Sequence, residues 1–203
     1  MTVTISRLYD NYADAQRAVA RLESAGVAHS DISIVANNSD NWFSGNRKDR
    51  DGDGVDDRAE SAGKGAGIGA GLGGAAGLLA GLGLLAIPGL GPVVAAGWLA
   101  STAVGAAAGA AIGGIVGALT EAGVSKEDAH AYAEGVRRGG TLVSARVAEA
   151  DRARLDGLLN ESAVNLRDRT AAWQKSGWQS FDPTADPYGA DEIRRERELY
   201  RNL

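Results

Sequence analysis

Between Gly65 and Thr120 the chain carries 56 consecutive residues without a charge. A run of that length must be buried within protein, placed in a bilayer or covered by another copy, because soluble monomers rarely expose apolar patches beyond a few hundred Å2. Its only interruption is the breaker cluster Pro88-Gly-Leu-Gly-Pro92. That cluster divides the run into two arms, Gly65–Ile87 and Val93–Leu119, of 23 and 27 residues, and predicts a helical hairpin with the breaker at its tip. At about 1.5 Å of rise per residue, either arm is long enough for a hydrocarbon core of about 30 Å.

The spacing within the arms sharpens the expectation. Gly65, Gly69, Gly73, Gly77 and Gly81 recur every four residues, and Gly97, Ser101, Gly105, Gly109, Gly113 and Gly117 do the same on the second arm. Positions four apart stack on one helix face and leave a groove that another backbone can approach closely. A glycine costs a helix interior about 1 kcal/mol relative to alanine, so the nine glycines of the first arm point to close packing rather than to helicity. These ten zipper glycines are the expected oligomerisation face.

Two readings of the hairpin follow, and both make a second copy of the chain the partner. In the first it is inserted in the lipid bilayer of the inner membrane. Arg47, Lys48, Arg50, Arg58 and Lys64 precede it, Lys126 follows it and the tip is uncharged, which keeps both termini cytoplasmic by the positive-inside rule; Trp98 would then anchor the far interface. In the second the hairpins are buried inside a cytoplasmic homomultimer, a shell or filament.

Just ahead of the run, Asp49-Arg-Asp51-Gly-Asp53-Gly54-Val55-Asp-Asp57-Arg-Ala-Glu60 matches the twelve-residue calcium loop at each ligand position. Calcium takes six to eight hard oxygens. The carboxylates of Asp49, Asp51, Asp53, Asp57 and Glu60 with the Val55 carbonyl supply them, and Gly54 allows the sharp turn. Asp56 stands where an aliphatic residue is usual and no good helix precedes the loop, so the pattern is closer to a loop-helix half than to a full EF-hand. The alternative is a solvated acidic spacer.

The flanks carry a different grammar. Residues 2–36 read as strand, helix, strand: Val3 and Ile5 in the first strand, Asp10 and Asn11 as helix caps, Ala15, Ala18, Val19 and Leu22 on one helix face, Gly26 as the stop, and Ile32–Ala36 as the second strand. Residues 140–167 repeat it, with a strand Thr141–Val147, a helix Ala150–Asn160 and a short strand around Ala163–Leu166. Two such halves predict an α+β fold, a split ferredoxin-like sandwich of two βαβ units interrupted by the hairpin; the alternative is two unrelated fragments. The expected organisation is 1–36 first half, 37–61 acidic loop, 62–121 zipper hairpin, 122–167 second half preceded by a charged helix opened by Ser125, and 168–203 a tail bearing Trp173, Trp178, Phe181 and Tyr188. The tail's end, Ala190–Arg201, reads as a solvated helix.

Composition excludes several functions. With no cysteine, disulfide scaffolds and thiolate chemistry fall away. A net charge of -5 with both signs interspersed gives no basic face for nucleic acid. His29 and His130 have no activated serine within any nucleophile-elbow pattern and are expected at the surface. Gly65, Gly67 and Gly69 lack the phosphate-binding lysine and the preceding strand of a nucleotide loop. The N-terminus shows no signal-peptide pattern, so the first residues are expected to belong to the mature fold. The chain therefore reads as non-enzymatic, without a small-molecule substrate and with Ca2+ as its candidate cofactor.

Ser6–Ala15 (SRLYDNYADA) with Asp31–Val35 (DISIV), and Gly123–Tyr132 (GVSKEDAHAY) with Gly139–Val143 (GGTLV), resemble the bacterial heat-induced or general stress protein domain family, in its subgroup with an inserted glycine-zipper hairpin. The resemblance covers roughly residues 1–36 and 62–167. It implies stress induction and a small α+β module, and it brings no catalytic residue.

Overall fold

The computed structural model describes residues 1–43, 82–107 and 114–200. Among them the chain forms an α+β structure, one five-stranded antiparallel sheet with seven α-helices. Strand β1 (Thr2–Tyr9) is followed by α1 (Tyr12–Ser24) and β2 (Ile32–Asn37). Helix α1 begins where Asn11 Oδ1 accepts the Asp14 N–H at 2.9 Å, buries Ala15, Ala18, Val19 and Leu22, and stops before Gly26, whose φ of +91° is a conformation glycine adopts without strain. Strand β5 (Thr141–Ala148) lies between β1 and β2 and is antiparallel to both. The two strands that α1 joins are therefore parallel and one strand's width apart.

The second half departs from expectation. After β5 comes α5 (Arg152–Asn160), but no strand forms around Ala163–Leu166. Val164 donates a single backbone hydrogen bond to the Leu8 carbonyl, 2.8 Å. Pairing stops there because Ser162 turns the chain at φ +60° and the Asn165 side chain, accepting from Asp168 N, caps a new helix, α6 (Leu166–Lys175).

The expected helical hairpin is corrected as well. Gly83–Ile87 and Gly91–Gly97 are strands β3 and β4, and they extend the sheet beyond β2 in the order β1-β5-β2-β4-β3. Pro88 and Gly89 occupy the centre of the turn between them, with Leu90 N donating to Ile87 O at 3.0 Å and Gly89 at φ +74°, which is type II turn chemistry. The breaker is thus a strand reversal. Helix begins only at α2 (Trp98–Ala107), with α3 (Gly114–Glu121) and α4 (Lys126–Arg137) following. Helix α4 opens as predicted, with Ser125 Oγ accepting Asp128 N at 3.1 Å.

Helices cover both faces of the sheet. On one, α1 and α5 pack over Ile5, Ile32, Ile34, Val143, Ala145 and Val147. On the other, Leu8, Val35, Leu85, Val93 and Leu142 meet α2, α3 and α4, together with Trp173 of α6 and Phe181. Burial on both sides explains why all six β2 residues are buried and show no polar alternation. The tail is not wholly solvated: Trp173 is 1 % exposed, and α7 (Ala190–Tyr200) buries Ile193 completely.

Candidate functional site

The uncharged segment leaves the sheet at Gly97. A Cβ there would lie 2.2 Å from the Ile32 carbonyl oxygen, and φ is +85°, so this glycine serves a bend against β2 and is not a helix-zipper position. Buried Ser33 secures the departure. Its Oγ donates to Ala96 O at 2.8 Å and accepts Leu99 N at 3.1 Å, tying β2 to the first turn of α2. Trp98, expected at a membrane interface, lies instead within the core cluster under the Arg146 guanidinium, 4.1 Å from its carbon to the ring centre. Helix α2 packs against α3, which buries Ile115, Val116, Ala118 and Leu119. With ten and eight residues the two are about 15 and 12 Å long. Among the described residues no helix is long and apolar enough to cross a membrane.

Of the other zipper positions, Gly105 lies in α2 and half-buried Gly117 in α3, while Gly65, Gly69, Gly73, Gly77, Gly81, Gly109 and Gly113 fall outside the described residues. So do all six candidate calcium ligands, Asp49, Asp51, Asp53, Val55, Asp57 and Glu60. The hairpin turn is covered by the tail of the same chain. A Cβ on Gly89 would meet Pro183 Cα at 2.8 Å, and one on Gly91 would meet Pro187 Cβ at 2.7 Å.

The structure adds an ionic clasp that the sequence reading missed. Glu134 is fully buried on α4, with Oε1 accepting Arg138 Nε at 2.6 Å, and Arg138 Nη1 reaches Glu196 Oε2 of α7 at 2.9 Å. Burial by itself would lower the Arg138 pKa, but the hydrogen bonds and charges of Glu134 and Glu196 outweigh it and hold the guanidinium above its usual value. Arg197 donates to Asp40 Oδ2 at 3.2 Å and to Gly139 O at 2.9 Å, and both ends of Arg169 hold Asp10, at 2.9 and 3.2 Å. Arg137 and Arg138 also lie over the Tyr188 ring. The alternating charges of Ala190–Arg201 were the only signal for this clasp, and they identify no partner.

An open groove of about 370 Å3 runs beside β1, lined in part by Arg7, Tyr132, Asn160, Asn165 and Arg167. Two of its polar groups are tied into the fold: Arg7 holds Asp156 at 2.6 Å, and the Tyr132 hydroxyl donates to Ser6 O at 2.6 Å, with burial pushing its pKa up to about 12. Elsewhere, His29 is half-buried, 2.9 Å from Glu23 Oε1; desolvation raises the Glu23 pKa and the His29 charge opposes that rise. His130 is also half-buried rather than fully at the surface. Among the described residues no group of three or more His, Asp or Glu side chains is arranged to hold a metal ion. No family model, no curated protein and no solved structure matches the chain.

Proposed function

We propose that this chain is a non-enzymatic, stress-associated protein that self-assembles through its glycine- and alanine-rich segments, which are buried between copies rather than threaded through a bilayer. The stress association rests on the family resemblance alone; the ferredoxin-like description rests on the two strand-helix-strand halves read from the sequence and is supported by a sheet that has β5 between β1 and β2. The observation that carries the assembly reading is the common sheet. Strands β2, β3–β4 and β5 all belong to it, so each uncharged segment leaves the sheet and returns to it. A bilayer excursion would need two crossings, about 40 apolar residues, whereas Gly65–Leu82 and Trp98–Thr120 offer 18 and 23. Glycine every four residues supports close contact between helices of neighbouring copies.

Sedimentation of the purified chain without detergent, beside fractionation of cells, tests the proposal. A homo-oligomer that stays intact in aqueous buffer is expected, as is its loss on Gly109→Leu with the circular dichroism of the sheet unchanged. A monomer in buffer, or a protein recovered from membranes only with detergent, would overturn it. The acidic loop is proposed, on its ligand pattern alone, to bind one calcium per chain with a dissociation constant of roughly 10⁻⁵ to 10⁻³ M. Calorimetry showing no heat at millimolar calcium would remove that part and leave the assembly reading standing.

A further inference from the structure

The segment Ser180–Gly189 carries an Asp-Pro step twice, at Asp182-Pro183 and Asp186-Pro187, followed by Tyr188. Each proline rests on a glycine of the β3–β4 turn: a Cβ on Gly89 would meet Pro183 Cα at 2.8 Å, and one on Gly91 would meet Pro187 Cβ at 2.7 Å. Arg137, at the end of α4, donates to the Asp186 carbonyl at 2.9 Å and lies 4.7 Å from the Tyr188 ring centre. Arg138 lies over the same ring at 5.5 Å. Turn and helix end thus form one seat, shaped to two prolines and a tyrosine. The occupant is ordered in advance, since each proline fixes its own φ and Asp182 Oδ1 accepts both Thr184 N and Thr184 Oγ1, at 2.8 and 2.7 Å. Such a segment loses little freedom on docking.

We infer that this seat is a peptide-recognition site for the Asp-Pro-Thr-Ala-Asp-Pro-Tyr segment, filled in this structure by the chain's own tail and open to the tail of a second copy. Between Ser176 and Tyr200 only Phe181 and Ile193 are buried. The Arg138–Glu196 and Arg197–Asp40 pairs that complete the hold are partly exposed. Residues 176–189 form neither helix nor strand, and a stretch of that length reaches about 45 Å when extended, far enough for a neighbouring copy. A tail seated on a neighbour makes every contact it makes on its own body, so exchange loses none of them. Concentration decides between the two: the tethered tail competes at an effective concentration on the order of millimolar, and copies held together compete on nearer terms. How often exchange occurs therefore rests on the proposed self-assembly, but the recognition does not, and a monomeric chain would still bind the peptide.

The test uses the full chain and a fluorescent peptide spanning Ser180–Tyr200. Phe181→Ala with Ile193→Ala removes both buried anchors of the tail and vacates the seat, so this variant should bind the peptide at least about tenfold more tightly than wild type, read by anisotropy. Adding Arg137→Ala removes the bond to Asp186 and the stack on Tyr188, and should weaken peptide binding about tenfold. The unlabelled Arg137→Ala chain, with its own seat impaired and its tail loosened, should displace the peptide, as the tail of a second copy must. In wild type, peptide in excess over the tethered concentration should speed hydrogen exchange of the α7 amides, and this measurement decides the matter if the double variant fails to fold. No binding to a folded double variant, binding indifferent to Arg137→Ala, or unchanged α7 exchange in wild type would overturn the site. Peptide that binds but is not displaced by the Arg137→Ala chain would overturn exchange between copies.

Discussion

The two faces of the sheet are covered by different physical means. On the first, α1 and α5 present side chains such as Val19, Leu22, Leu155 and Leu159 to Ile5, Ile34 and Val147, and the stabilisation is ordinary apolar burial. On the second, the contacts depend on how near backbones come. Gly97 bends against β2, Gly135 admits the Leu8 side chain, and Gly139 sits under Ile193, while ion pairs and cation–π contacts hold the tail. Both faces lose stability when a methyl is removed from their apolar clusters, but the second is closed to an added methyl at Gly97, Gly135 and Gly139 as well.

Substitutions that add or remove a methyl can break this contrast. Gly97→Ala should have the largest effect, about 4 kcal/mol of destabilisation, because it combines left-handed backbone with a clash against the Ile32 carbonyl; a loss below about 1 kcal/mol in urea unfolding would show that the second face can give way. On the first face, Leu22→Ala should cost about 3 kcal/mol by opening a cavity beside a fully buried residue, measured in the same way.

Alkaline titration sharpens the comparison at the α4–β1 contact. The folded-state pKa of Tyr132 is raised from 10.0 to about 12 by burial. Its contribution is therefore complete below about pH 10, where the tyrosine is protonated in both states, and is lost as the pH rises through about 12, where the unfolded chain has already ionised. The loss should be on the order of 2–3 kcal/mol, and Tyr132→Phe should flatten that part of the stability profile. The smallest effect, with opposite sign, is expected of Gly157→Ala at an exposed position of α5. Nothing lies within 4 Å of the added Cβ, so helix propensity alone should stabilise by about 0.5–1 kcal/mol, read as a small rise in the urea midpoint.

What could be read from sequence follows the same division. The cap at Asn11, the apolar face of α1, the stop at Gly26 and the Ser125 cap rest on local chemistry, and each is found where that chemistry places it. Strands β3 and β4 could not be separated from helix by periodicity, because β4 is buried on both faces and Leu84–Ile87 and Val93–Ala96 are wholly apolar. Pro88 and Gly89 are turn residues in either reading, and only pairing with Ser33–Asn37 decides between them. The zipper spacing drew Gly97 into a set to which it does not belong. Trp173, Arg138 and Glu196 are separated by 35 and 58 residues along the chain, so no local pattern could unite them.

The position of β5 also bears on how the chain is made. Its partners on either side were synthesised more than a hundred residues earlier, as the buried Ser6–Ser144 hydroxyl pair shows with its separation of 138. Until residue 148 emerges from the ribosome, β1 and β2 face each other across an empty slot under α1, each with an unpaired edge. Long-range pairing of this kind folds slowly and leaves strand edges open to other chains. During that interval the apolar β3–β4 hairpin can pair with β2, but β1 has no partner. The nascent protein therefore passes through a stage of exposed strand edges that ends only when β5 enters the slot.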